Sequence, residues 1–65
     1  MKIKIKRTHS AFKPNTLDLV GNLNQDEIYD VISSFHEKQN KYYLVKHPSG
    51  ELVGAFQLHT EVVPE

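Results

Sequence analysis

Apolar and charged residues alternate without a break over "KIKIK", with Ile3 and Ile5 falling to one side and Lys2, Lys4 and Lys6 to the other. That is the period-two signature of a strand with one wet face, and lysines along the exposed side suit a sheet edge because they discourage pairing with another chain. The strongest pattern comes later, in "KYYLVKHPSGELVGAFQLH". Tyr42 to Lys46 is rich in strand formers, and Leu52 to Leu58 is apolar again. "HPSGE" between them puts Pro48 at the second turn position and Gly50 where a left-handed residue closes a type I turn, which predicts a hairpin. Gly54 inside the second strand predicts a bulge or a close backbone approach. Val62 and Val63 predict a short last strand before Pro64.

The segment "RTHSAFKPNTLDLVGNLNQDE" has no regular period. Pro14, Gly21 and several Asn and Asp residues punctuate it, and Phe12, Leu17, Leu19, Val20 and Leu23 are scattered through it. A structureless loop of this length is unusual in a small domain, so the segment is expected to be functional or folded back as an irregular hairpin. No internal repeat, low-complexity stretch or domain boundary is visible, and residues 1–65 read as a single domain.

Residues 24 to 38 carry two patterns at once. Ile28, Val31, Ile32 and Phe35 recur at the spacing of one helix face. Asn24 could cap such a helix, Asn24 with Glu27 imitates a capping box, and Lys38 would lie near the end. Yet the segment lacks alanine and leucine and is weighted toward Ile, Val, Tyr and Phe, whose rotamers a helix restricts. On the strand reading Tyr29, Val31 and Phe35 share one face, Ile28 and Ile32 take the other, and "HEKQN" is a polar loop leading to "KYYLV".

Composition narrows the setting. A chain of 65 residues buries only about 60% of the surface it exposes when unfolded, so its stability margin is thin. Without cysteine there is neither a disulfide framework nor a thiolate zinc site, which suits a reducing cytoplasm. No stretch approaches the ~20 apolar residues of a membrane span, and the apolar run near the N-terminus is too short for a signal peptide. A cytoplasmic protein, in a bacterial or host cytosol, is expected.

The net charge is zero but unevenly laid out. Lys2, Lys4, Lys6, Arg7 and Lys13 occupy the first thirteen residues with no acid among them, and Asp18, Asp26, Glu27, Asp30 and Glu37 follow with no base before Lys38. Such asymmetry can make a basic patch for nucleic acid or an acidic patch for a basic partner. The plainer alternative is that the two blocks face each other across neighbouring strands.

The stretches "EIYDVISS", "KYYLVKHPSGELVGAF" and "EVV" resemble the small Src-homology-3-like barrels of Gram-positive bacteria and their phages, over residues 17 to 63. The resemblance implies a mainly β fold, a small five-stranded barrel in which "EIYDVI" and "KYYLV" are adjacent strands and "HPSGE" is the distal hairpin. Arg7 to Leu23 is then the long loop after the first strand. The alternative is a β-α-β-β domain with a three-stranded sheet and one helix. The polyproline groove of Src-homology-3 domains is not fully present: their Ala-Leu-Tyr-Asp-Tyr stretch has only "HSAFKP" near it, and "QLHTEV" stands in place of the late Pro-x-x-Tyr. Fold alone therefore does not carry over polyproline binding.

Candidate chemistry is sparse. His9, His36, His47 and His59 are too widely spaced to preset a metal site. His36 beside Glu37 and Ser33–Ser34 near His36 form no nucleophile motif, and the isolated glycines make no phosphate loop. The expectation is a non-enzymatic protein-interaction module without cofactor or metal, monomeric or weakly self-associating. It binds an unidentified protein, as a phage- or prophage-encoded modulator of a host factor on the resemblance. The expected partner surface is Phe12, Lys13, Asp18, Tyr42 and Tyr43, with one of the two tyrosines pointing outward. The competing expectation is a small nucleic-acid-binding protein using Lys2, Lys4, Lys6 and Arg7 with stacking rings at Tyr42 or Phe12, against which the near-neutral isoelectric point weighs.

Overall fold

The computed structural model describes residues 1–64. Eight short strands follow one another: β1 (Lys2–Ile5), β2 (His9–Phe12), β3 (Leu19–Leu23), β4 (Ile28–Asp30), β5 (Ser33–Glu37), β6 (Asn40–Lys46), β7 (Leu52–Phe56) and β8 (Thr60–Val63). A single 3-10 turn, Gln57–His59, precedes β8. They form two antiparallel sheets, β4-β1-β8 and β3-β2-β7-β6-β5. The protein is mainly β, with no α-helix among the described residues, so the β-α-β-β alternative does not occur. Neither sheet closes on itself, and the single closed five-stranded barrel expected above is not what the strands build.

The core lies between the sheets because residues from both converge in one cluster: Ile3, Ile5 and Tyr29 from the smaller sheet, and Ala11, Leu23, Tyr43, Val45, Val53 and Ala55 from the larger. Alternation in β1 drives this, since Ile3 and Ile5 are fully buried while Lys2 and Lys6 are exposed. Each fully buried aliphatic side chain is worth about 1.5–3 kcal/mol.

Residues 24 to 38 form no helix but a turn followed by two strands, which belong to different sheets. Ile28, Tyr29 and Asp30 pair with Lys4, Ile3 and Lys2 of β1, whereas Ser33 to Glu37 pair with Leu44 to Asn40 of β6. The handover occurs at two residues: the Val31 N–H donates to the Met1 carbonyl (2.9 Å) and the Ile32 N–H to the Leu44 carbonyl (2.8 Å). The neighbour of "KYYLV" is therefore "SSFHE" and not "EIYDVI". The expected loop "HEKQN" shrinks to Lys38 and Gln39, with φ of 50° and 69°, the left-handed pair that suits a two-residue hairpin loop. Tyr29 and Phe35 no longer share a face, because Tyr29 is buried and Phe35 lies outside the core cluster.

The Asn24–Glu27 pair that imitates a helix cap closes a turn instead. The Asn24 N–H donates to Glu27 Oε1 at 2.7 Å, the Glu27 N–H donates to the Asn24 carbonyl at 3.2 Å, and Tyr29 Oη donates to the same Oε1 at 2.7 Å. The Asn24 N–H and then the Tyr29 hydroxyl hold the Glu27 carboxyl below its ordinary range. Burial, and secondarily Glu27, pushes the Tyr29 phenol above its own.

The long segment after β1 is an irregular hairpin, β2–β3, whose register shifts between Ala11 and Phe12. The "HPSG" turn forms as expected: the Gly50 N–H donates to the His47 carbonyl at 2.8 Å, and Gly50 has φ +95°. The two charge blocks do face each other, with Lys2 opposite Asp30 and Lys4 Nζ 3.7 Å from Asp26. Among the described residues no helix is long and apolar enough to cross a membrane.

Candidate ligand-binding face

Alternation along the β6–β7 hairpin sends Tyr43, Val45, Val53 and Ala55 inward and leaves Tyr42, Leu44, Gly54 and Phe56 on the opposite face. Tyr42 stands opposite Phe56, and Leu44 opposite Gly54. The strands on either side add a phenylalanine each: Phe35 of β5 faces Tyr42, and Phe12 of β2 faces Gly54. Gly54 is what lets them converge. A Cβ there would sit 2.7 Å from Phe35 Cζ and 3.5 Å from Phe12 Cζ, so the missing side chain leaves the space in which the rings meet.

The rings form a connected set centred on Tyr42. Phe12 meets it edge-on at 5.2 Å, Phe35 stacks on it at 5.4 Å with planes 16° apart, and Phe56 lies 5.4 Å away. Such pairs contribute about 0.5–1.5 kcal/mol each beyond area burial. The run continues to His59, edge-on to Phe56 at 4.9 Å, and to His9, 5.2 Å further. All six rings are partly exposed, and none belongs to the core cluster.

The β2–β3 loop borders this face. Its ends are tied by the Lys13 N–H donating to the Asp18 carbonyl (2.9 Å) and the Leu17 N–H to the Lys13 carbonyl (2.8 Å). Leu17 is held at φ 61°, a conformation costly to a residue with a bulky Cβ substituent, and its side chain is 50% exposed. Beside it a shallow hollow of about 260 Å³ lies among Phe12, Leu17, Leu19, Glu37, Lys38 and Tyr42. A second, of about 500 Å³, lies across the loop beside Pro14, Leu44 and Leu52.

Of the residues expected at a partner surface, Phe12 and Tyr42 are brought into contact, Lys13 sits at the loop base with Nζ 3.5 Å from Glu51, and Asp18 is exposed at the loop's end. Tyr43 is corrected: it is 7% exposed and part of the core. Phe35, Phe56, Leu17 and Leu44 were not foreseen. The hairpin register held the signal for two of them, since a turn at Lys38–Gln39 pairs 35 with 42 and the "HPSG" turn pairs 42 with 56.

The basic residues do not make one track. Lys2 and Lys4 face acids across the smaller sheet, whereas Lys6 and Arg7 lie beside His59 and Leu58. The Lys6 N–H donates to the His59 carbonyl at 2.8 Å. His9 accepts the Phe56 N–H at Nε2 (3.1 Å), and its Nδ1 lies 2.9 Å from the Arg7 carbonyl, a pairing that assigns the proton to Nδ1. His47 ties its turn to β3 through Nε2 and the Asn22 carbonyl, 3.1 Å apart. His36 is exposed. Among the described residues no group of three side chains could hold a metal ion. No family model, curated protein or solved structure matches the chain.

Proposed function

We propose that this chain is a non-enzymatic binding module of the Src-homology-3-like kind that docks a segment of another protein across the aromatic face of its larger sheet. One observation carries the reading: all three phenylalanines of the chain and Tyr42 stand partly exposed outside the core cluster, while Tyr43, Val45, Val53 and Ala55 fill the inner face beneath them. Large apolar rings left at a surface, bordered by loops and shallow hollows, are the ordinary make-up of a recognition site. The long segment folding back after β1 and the "HPSG" hairpin support the resemblance. A modulatory role, phage- or prophage-encoded and acting in the cytosol on a host protein, rests on the resemblance alone.

The test is capture of partners from a Gram-positive bacterial lysate by the tagged chain and by its Tyr42→Ala variant, with nuclease present. A stoichiometric protein retained by the wild type, and weakened tenfold or more by Tyr42→Ala as expected for a central aromatic contact, supports the reading. Equal capture by both proteins overturns it. Capture abolished by nuclease moves the function to nucleic acid.

A further inference from the structure

The ring set ends at a corner where positive groups gather without compensation. Lys6, Arg7, Leu58 and His59 line a hollow of about 420 Å³, and His9 lies against His59 at 5.2 Å. Neither Lys6 nor Arg7 makes an ion pair among the described residues, whereas Lys4 and Lys13 are each matched by an acid. Burial, helped by the neighbouring Arg7 and Lys6 charges, holds the His59 imidazole below its ordinary range.

We propose that this corner is a carboxylate site, and that it takes an acidic side chain of the protein segment whose apolar part lies over Tyr42 and Phe56. The inference rests on the docking reading above. An arginine fork beside a lysine presents the donors that a carboxylate accepts. Because Lys4 is ion-paired with Asp26 and Lys2 lies opposite Asp30 in the register of the smaller sheet, the corner offers one charged contact rather than a track, and one contact suits a single anion on an otherwise apolar ligand better than a chain of phosphates. Ring steps of 5.4 Å and 4.9 Å lead from Tyr42 through Phe56 to His59, a path that about three residues of extended chain cover.

The experiment uses the full chain and two probes, acetyl-Leu-Pro-Pro-Glu-amide and its Gln counterpart, titrated by heteronuclear NMR at pH 7. The prolines preset an extended backbone. The Glu peptide should bind about fivefold more tightly, the gain of an exposed charge contact. That gain should vanish in the Lys6→Gln/Arg7→Gln variant, whose altered side chains are exposed and make no ion pair among the described residues. Equal affinities for the two probes, both lost in Tyr42→Ala, would overturn the carboxylate corner and leave the docking face standing. Absence of any saturable shift at Tyr42 and Phe56 with either probe would overturn the docking reading itself. Tighter, steeply salt-dependent binding of hexathymidylate would overturn the protein segment as occupant.

Discussion

The two faces of the β6–β7 hairpin are made of similar material and meet opposite fates. Inward, Tyr43, Val45, Val53 and Ala55 are sealed with Ile3, Ile5 and Tyr29. Outward, Tyr42, Phe56 and Leu44 surround Gly54 and stay partly open, with Phe12 and Phe35 beside them. Burying a side chain of this size fully would contribute about 1.5–3 kcal/mol, a large amount for so small a chain. The difference teaches that alternation alone does not decide burial: the inner face is sealed by the smaller sheet, while all three phenylalanines and Tyr42 stay partly exposed.

Replacing the two adjacent tyrosines separates those roles most sharply. Tyr43→Ala should cost about 3 kcal/mol or more, as for other large-to-small core changes, enough to remove the cooperative thermal transition of so small a domain. Tyr42→Ala should lose its ring contacts, about 0.5–1.5 kcal/mol each, without leaving a buried cavity, so it should cost less than Tyr43→Ala while losing the proposed partner. Equal losses by calorimetry would erase the distinction between the faces.

A smaller effect comes from filling the space between them and the rings. Gly54→Ala places a methyl 2.7 Å from the present position of Phe35 Cζ, so the ring must leave its stack on Tyr42, at about 1 kcal/mol. Ring-current shifts at Tyr42 should collapse while amide exchange at Val45 and Val53 stays slow. Unchanged ring shifts would show that Phe35 is not held by Gly54.

The smallest effects are gains. Leu17→Asn, and separately Lys38→Asn with Gln39→Gly, relieve left-handed backbone and should each stabilise the protein by about 1 kcal/mol. Only Leu17→Asn should also weaken the partner, because only Leu17 lines the hollow with both an apolar side chain and left-handed backbone. If chemical denaturation shows the gain and capture is unaffected, the exposed leucine has no part in docking.

Much of the strand pattern is legible in the residues. The alternation of "KIKIK" and the chemistry of "HPSG" determine β1 and the β6–β7 hairpin, and Val62 and Val63 do lie in a last strand. The expected outward tyrosine exists, and it is Tyr42. What could not be read was the division of residues 27 to 37 between two sheets: Val31 and Ile32 look like any strand interior, and only the carbonyls of Met1 and Leu44 reveal the handover. The same holds for Asn24 and Glu27, whose mutual hydrogen bonds serve a helix start or a tight turn equally well. Phe35 and Phe56 were missed at the site because each lies beyond a turn from Tyr42, so their contact depends on hairpin register.

The sequence by itself determined β1, the "HPSG" turn with the strands on either side of it, and a short last strand. Local backbone preference and the period of two suffice for that. Which face became core was decided by tertiary structure: β1 and β4 cover one side of the larger sheet and, among the described residues, no strand covers the other, and alternation along a strand carries no information about what packs against it.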